Sequence, residues 1–397
     1  MPKRGKAVVR QKGTTIFLCL GLIAFFIFFL DPTSPMVLYT TFALFGFYLI
    51  YKLPPRVIFG RKLRWLLLIF VPLLLIPVLL ADPEYEAVYT YQSVFDSLEK
   101  GNNPYTSGTI YHKVDDSAVL GNFNYPPMTI PFYWLTYLSL GTWDISLMIL
   151  VNLLARLLVC MIFMKMTPKL RYYQRLPFYL FFLLLGTTYP LTMTFLIVSL
   201  IMYYLIRNDL SKGKSAVNKY LYLPVLFSLG LLTKFFVVPI FFAYFYHYFF
   251  NLRKTGDATK QIVLIGIVTS LILLPFGIMN VIDNTVLFNL NLGQRAIYTT
   301  FYPNIVSGPF SWLDAELAYA LFAVIAFGFF LYIFDKNLVT KIVYTCIAFM
   351  LLIPTPEPQY LVILFYIVIA GKYMELARQR PLTSLPSSKA QQTLSHK

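Results

Sequence analysis

The chain of 397 residues is 58% hydrophobic, 18% aromatic and only 13% charged, with a mean hydropathy of +0.67. Roughly a quarter of the residues in a soluble domain are charged, so this composition excludes a soluble globular protein. The net charge of +16 comes from basic residues in short segments between apolar runs, with no basic surface interleaved with aromatic residues, so nucleic-acid binding is a poor explanation of the charge.

The apolar runs predict an all-α polytopic membrane protein with about 12 transmembrane helices, because a run of about 20 residues spans the hydrocarbon core. Several runs are shorter, and they come in pairs joined at Gly186–Pro190, Lys234 and Pro354–Pro358. Such pairs indicate half-spanning helices that leave a cavity open to one surface. The predicted helices cover residues 14–30, 36–51, 64–81, 143–164, 176–188, 190–206, 220–233, 235–250, 261–280, 315–334, 340–353 and 359–372.

The distribution of charge predicts the orientation of the chain. With the N-terminus inside, the predicted cytoplasmic segments hold 28 of the 33 basic residues and four of the 17 acidic ones. Basic residues in short loops favour the cytoplasm, so both ends of the chain are predicted there. Residues 1–372 then form a single transmembrane catalytic domain, and the polar segment 381–397 is a disordered cytoplasmic tail. The cytoplasmic segments are 1–13, 52–64, 165–175, 207–219, 253–260, 335–341 and the tail from Lys372.

The longest hydrophilic stretch, residues 82–144, holds eight acidic and two basic residues and contains the predicted outer catalytic loop, 82–142. Its first part predicts a helix, because Asp82 can cap it, Pro83 suits its first position, and apolar residues follow at helical spacing. A turn at Asn124–Pro127 and an aromatic-rich segment up to Leu140 predict a second helix. We expect both to be interfacial helices that hold a carboxylate over the cavity.

Ionisable groups next to hydrocarbon are costly unless they are paired, so those that interrupt the apolar chain are candidate site residues. Asp82 and Glu86 supply carboxylates; capping alone would also explain Asp82, whereas Glu86 lies further into the helix. Lys234, between two short helices, either meets an anionic partner or extends its ammonium to the interface. Arg295 either binds a phosphate bidentately or lies at the surface.

The adjacent acids Asp115 and Asp116 could be interpreted as a pair of metal ligands. Neighbouring side chains point apart in a strand or a helix, and only His112 stands nearby as a further ligand. A solvated loop is therefore the better interpretation, and we expect neither a metal nor another cofactor.

Several motifs occur in an order typical of a known family. An acid followed by aromatic residues precedes GNNPY (Gly101–Tyr105), and NYPP (Asn124–Pro127), TKFFVVP (Thr233–Pro239) and PTPEPQY (Pro354–Tyr360) follow. In this the chain resembles the GT-C superfamily of integral-membrane glycosyltransferases, and within it glycosyltransferase family 87, the polyprenol-phosphate-mannose-dependent mannosyltransferases. The resemblance covers most of the chain in order and topology.

The resemblance implies a GT-C-like helix bundle, a first outer loop with two helices along the membrane, and an outward-facing site for a lipid-phosphate sugar donor. The family's catalytic acid is usually an Asp at the position that Ala87 occupies here, so Glu86, one residue away, and Asp82 both remain candidates for the base. Substrate binding is expected from Lys234 and Arg295 and from motif and loop residues. These are Tyr91, Asn103, Tyr105, Tyr125 and Gln359.

We therefore expect an inverting hexosyltransferase that moves a sugar, mannose by the resemblance, from a polyprenyl phosphate to a glycan or lipid acceptor at the outer face of the membrane. The chain has no Asn-x-Ser/Thr site, which favours a prokaryotic plasma membrane over the endoplasmic reticulum. Two other classes remain open. A lipid-linked-glycan transporter or flippase would show repeated halves and charges at mid-membrane helix breaks, and an O-antigen ligase or polymerase would carry its large loop late in the chain.

Overall fold

The computed structural model of the protein describes residues 44, 46–61, 85–107, 109–114, 117–123, 125–184, 191–210, 217–287, 324, 326–352 and 360–379. This part of the chain is helical apart from turns and one two-stranded hairpin. For these residues the prediction of a helical membrane-protein framework is confirmed. The number of transmembrane helices stays a prediction, because segments such as 14–30 and 64–81 lie outside the described residues.

Among the described residues, three helices are long and apolar enough to cross a membrane, namely Ile145–Met166, Thr255–Phe276 and Tyr360–Gln379. The first has 22 residues, which corresponds to about 33 Å at 1.5 Å per residue and matches the hydrocarbon thickness of a bilayer. Asp144 caps this helix, since its carboxylate accepts from the Leu147 N–H at 2.8 Å. The remaining long helices are Tyr172–Leu184, Leu191–Leu210 and Leu338–Leu352, and residues 46–52 and 326–333 are also helical.

The helices on either side of Lys234 are too short to cross a membrane. The first consists of Asn218–Tyr222 and Leu223–Leu231, and the second of Phe235–Val237, Val238–Tyr246 and His247–Asn251. Their lengths correspond to about 20 and 25 Å at 1.5 Å per residue. Gly230 allows the chain to turn here, because a Cβ on it would lie 2.9 Å from the Val237 side chain. The predicted short helix pair with a polar junction is therefore present.

The predicted outer loop contains more than two helices. A helix runs from Tyr85 to Glu99 and another from Thr129 to Leu140, each where the sequence predicts one. Between them lie the short helix Pro104–Ser107 and an antiparallel hairpin that the sequence analysis missed. The hairpin pairs strands Thr109–Val114 and Ser117–Asn122, with Thr109 opposite Asn122 and Val114 opposite Ser117. Whether the two helices lie along a membrane surface stays a prediction.

Three of the predicted cytoplasmic segments, where the structure describes them, meet at one end of the bundle, which we call the basic end. Gln174 Nε2 donates to the Phe59 carbonyl at 2.8 Å, and Lys169 Nζ donates to the Ala377 carbonyl at 3.2 Å. Residues 52–61, 165–175 and 372–379 are therefore neighbours, in agreement with the charge distribution. Further contacts near this end join Asn251 to Phe334 and Lys219 to Asp257.

The loop forms the other end of the bundle, which we call the loop end. A hydrophobic cluster there combines loop residues with residues from three helices that lead towards the basic end, Met148, Leu232 and Leu273. A second and larger cluster fills the rest of the bundle. The burial of aromatic and aliphatic side chains in the smaller cluster thus holds the loop against the ends of these three helices. The loop members of the smaller cluster include Ala87, Val88, Tyr91, Val94, Phe95, Tyr105, Phe123, Ile130 and Tyr133.

Candidate functional site

Tyr91 is the centre of an aromatic cluster at the loop end. Its side chain is fully buried, and its ring centroid lies 4.7 Å from that of Tyr133, 5.9 Å from that of Tyr125 and 6.0 Å from that of Phe123. These rings come from both loop helices and from the segment between them. Because aromatic pairs at such distances add to the free energy gained by burial, the cluster holds the loop segments in one arrangement.

Asn103 and Tyr105, in the GNNPY motif, join the loop to the ends of two further helical segments. Asn103 Nδ2 donates to the Phe276 carbonyl at 2.6 Å, and its Oδ1 accepts from the Tyr105 N–H at 3.0 Å. The Tyr105 carbonyl accepts from Asn284 Nδ2 at 3.0 Å. Gly101 makes the turn into this motif with a φ of +72°, a conformation that favours glycine. The Asn103 side-chain amide thus both donates and accepts a hydrogen bond within the protein.

The Tyr105 hydroxyl connects the GNNPY and NYPP motifs. It donates to the Tyr125 carbonyl at 2.6 Å, and the Tyr105 ring is fully buried against Phe123 and Phe276. Burial raises the pKa of this phenol well above its ordinary value, so the group is a proton donor to the carbonyl and not a base. Burial raises the pKa of Tyr91 in the same way. Both phenols therefore stay protonated at neutral pH.

Lys234 lies directly beside the NYPP motif. Its ammonium is 4.9 Å from the centroid of the Tyr125 ring, an arrangement in which the face of the ring attracts the cation. The Met128 N–H donates to the Leu232 carbonyl at 3.0 Å, which ties the end of the NYPP turn to the chain just before Lys234. Of the residues predicted to bind substrate, Tyr91, Asn103, Tyr105, Tyr125 and Lys234 are all brought together.

The candidate base Glu86 belongs to the loop helix Tyr85–Glu99, although only its backbone is described. The exposed side of this helix carries Tyr89, Gln92 and Asp96. Asp82, Arg295 and Gln359 lie outside the described residues, as do Asp115 and Asp116.

The aromatic cluster continues into the long apolar helix Ile145–Met166 through polar contacts. The Tyr133 hydroxyl donates to Asn152 Oδ1 at 2.9 Å, and both side chains are fully buried. One turn further along, the buried Arg156 donates to the Phe182 carbonyl at 3.3 Å and, at 3.5 Å, to the Thr192 hydroxyl. Asn152 and Arg156, inside this apolar helix, thus both have hydrogen-bond partners within the protein.

Four residues that hold the site were missed, namely Leu232, Phe276, Asn284 and Asn152. Phe276 and the Leu232 carbonyl act through their backbone oxygens, which a side-chain pattern does not report. Asn152 could have been singled out, because an amide within an apolar helix needs a partner and Tyr133 is a hydroxyl on a neighbouring aromatic segment. In the part of the chain that the structure describes, no three His, Cys, Asp or Glu side chains come together as metal ligands.

In comparisons with models of protein families, with curated proteins and with solved structures, none matches the chain.

Proposed function

We propose that the protein is an inverting glycosyltransferase that moves a sugar, mannose in the first instance, from a polyprenyl phosphate to a hydroxyl of a glycan or lipid acceptor. The site of transfer is at the loop end, on the outer face of a cell membrane. The observation that carries the proposal is the position of the Lys234 ammonium over the Tyr125 ring, where the GNNPY, NYPP and TKFFVVP segments meet.

A cation at this point suits a phosphate leaving group. The helices on both sides of Lys234 are too short to cross the membrane, so a donor with its prenyl chain in the bilayer has room to bring its phosphate to the ammonium. As the bond between the anomeric carbon and the phosphate oxygen breaks, its electron pair stays on the phosphate, and the negative charge that grows there is stabilised by Lys234. The half-buried Tyr125 ring, next to the ammonium, is the aromatic surface available to the sugar.

The reaction needs one carboxylate. The acceptor hydroxyl attacks the anomeric carbon from the side opposite the phosphate, and its proton passes to Glu86 or Asp82, so the configuration inverts. Phosphate leaves without protonation, in contrast to glycoside hydrolysis, where a second carboxyl group acts as the acid. A positioned general base contributes about 10²–10⁴-fold to the rate. Tyr91 and Tyr105 do not serve as the base, because burial raises the pKa of both phenols.

Transfer from radiolabelled polyprenyl-phosphate-mannose by the purified protein, with and without a chelator, tests the proposal. We expect label in a membrane acceptor and no effect of the chelator. Glu86→Gln and Asp82→Asn identify the base, since the correct one lowers the rate by about 10²–10⁴-fold. Asp96→Asn is the matched control, because Asp96 lies on the exposed side of the same helix.

Folded protein that transfers no label to any membrane acceptor would contradict the proposal. Movement of the intact lipid-linked sugar across proteoliposomes would then indicate the transporter class. Normal transfer by both the Glu86 and the Asp82 variant would keep the glycosyltransferase activity but remove these two residues from the mechanism.

A further inference from the structure

The two long helices of the loop differ in the surface that they expose. We call Tyr85–Glu99 the first loop helix and Thr129–Leu140 the second loop helix. The exposed side chains are Tyr89, Gln92, Asp96 and Glu99 in the first loop helix, and Leu135 (65% exposed), Leu138 (58%), Ser139 and Leu140 (55%) in the second. Of the two, the second loop helix is the one with an apolar exposed surface.

The second loop helix is apolar on every side. None of its twelve residues, TIPFYWLTYLSL, is charged. Tyr133 is fully buried in the cluster at the loop end, and with 3.6 residues per turn Leu135 and Leu138 lie on the opposite side of the helix. A helix that is apolar all round needs an apolar environment on all of its sides. The protein, where the structure describes it, provides that environment on the side of Tyr133.

The apolar residues of the first loop helix pack within the protein. Val88, Tyr91 and Phe95 are all buried in the cluster at the loop end. The Tyr137 hydroxyl of the second loop helix donates to Glu99 Oε1 at 2.8 Å, so the two helices lie side by side at this point. Because carboxylates next to hydrocarbon are costly, the exposed side of the first loop helix suits water.

The second loop helix is connected closely to the long apolar helix Ile145–Met166. Leu140 comes five residues before Ile145, a distance of at most about 18 Å even in extended chain. Since the long helix matches the hydrocarbon thickness, its first residue lies near one boundary of the hydrocarbon. The rings of Trp134 and Tyr137, half-buried and stacked with centroids 5.2 Å apart, are of the type enriched at such boundaries.

We propose that the loop contacts the bilayer through the second loop helix alone, with its exposed leucines among the acyl chains of the leaflet at the loop end, and that the exposed side of the first loop helix faces water. Insertion of these leucines removes apolar surface from water. Acyl chains suit this surface better than a protein partner, because the rim of a protein interface is polar and this helix carries no charged residue. The contact limits the expected pair of interfacial helices to one, and it is independent of the sugar transfer proposed above.

Labelling of the wild-type protein in proteoliposomes with two probes tests the proposal. The first probe is a phosphatidylcholine with a photoreactive diazirine in the upper part of one acyl chain. The second is the hydroxyl radical, which oxidises side chains that water reaches. Peptide mass spectrometry locates both labels. We expect the acyl label on the second loop helix and oxidation of Tyr89 on the first, with helix Ile145–Met166 as the reference for acyl labelling.

Leu135→Gln with Leu138→Gln should lose most of the acyl label on the second loop helix, because amide side chains are costly among acyl chains. The matched control is Tyr89→Gln, a change at an exposed residue of the first loop helix, which should keep the acyl label of the wild type on the second. The proposal is overturned by acyl label on both loop helices or on neither. Oxidation of Leu135 and Leu138 would show that they face water, and the absence of both labels from them would indicate a contact with protein, such as a second copy of the chain.

Discussion

The loop end and the basic end hold their segments together by different means. At the loop end, buried rings surround Tyr91, and the side chains of Asn103 and Tyr105 bond to backbone carbonyls of distant segments. At the basic end, side chains such as Gln174 also bond to backbone carbonyls, but instead of a cluster of buried rings there are partly exposed pairs of charged side chains, such as Lys219 with Asp257. Buried contacts fix geometry strongly, whereas exposed ion pairs contribute little free energy. The difference predicts that the loop end depends on individual residues and the basic end on its overall charge.

Tyr105→Ala should produce the largest loss of stability, because the fully buried ring and its hydrogen bond to the Tyr125 carbonyl are both removed. We expect a cost of about 3–5 kcal/mol, as for other large-to-small core substitutions of aromatic residues. Thermal unfolding in detergent measures it. Tyr89→Ala on the exposed side of the neighbouring helix is the control and should change stability by less than about 0.5 kcal/mol. Equal effects of the two substitutions would contradict the assigned importance of burial.

Lys234→Gln should lower the rate of sugar transfer by about 10²–10³-fold while leaving the thermal midpoint nearly unchanged, because the lost group stabilises charge in the transition state. Lys100→Gln, which removes an exposed ammonium at the same end of the protein, should transfer at the wild-type rate. Steady-state transfer kinetics separate the two. A Lys234→Gln protein as active as the control would remove the cation from the proposed mechanism.

Asn103→Ala should destabilise the protein by about 1–3 kcal/mol, because the Phe276 carbonyl and the Tyr105 N–H each lose a partner. The adjacent Asn102→Ala provides the comparison, since Asn102 is exposed. Limited proteolysis of the loop, combined with thermal unfolding, measures the effect. If the two variants are cleaved at the same rate, the Asn103 amide does not anchor the loop.

The smallest effect is expected at the basic end, for the pair of Lys219 and Asp257. A double-mutant cycle of Lys219→Gln and Asp257→Asn should give a coupling free energy below about 1 kcal/mol, because the side chain of Asp257 is 30% exposed and water screens the pair. The coupling should shrink further in high salt. A coupling as large as the cost of Asn103→Ala would break the proposed distinction between the two ends.

Much of the helical framework could be predicted from hydropathy, but the helix boundaries follow other rules. The apolar run 261–280 predicts a helix that in the structure begins earlier, at Thr255. Its first turns are polar and are helical because backbone hydrogen bonds, not hydrophobicity, define the element. The apolar run 143–164 agrees better with helix Ile145–Met166, because a capping aspartate marks its start.

The hairpin was missed because the loop was interpreted through helices alone. Strand Thr109–Val114 contains β-branched and aromatic residues, and two acids separate it from Ser117–Asn122, which is a pattern typical of a tight turn between strands. Five of the candidate residues, Tyr125 among them, lie close together, and their part in substrate binding stays a prediction. Its anchors at Phe276 and Leu232 are carbonyl groups, and no side-chain pattern in a single sequence predicts which backbone oxygen will accept a hydrogen bond.

Asn103 bonded to Phe276, Met128 bonded to Leu232 and Tyr133 bonded to Asn152 attach the loop to three separate helices. A chimera that exchanged only residues 85–144 with those of another protein would meet acceptors in the wrong places at three points. A change of specificity by exchange of the loop therefore requires exchange of the parts of the three helices that accept its hydrogen bonds as well.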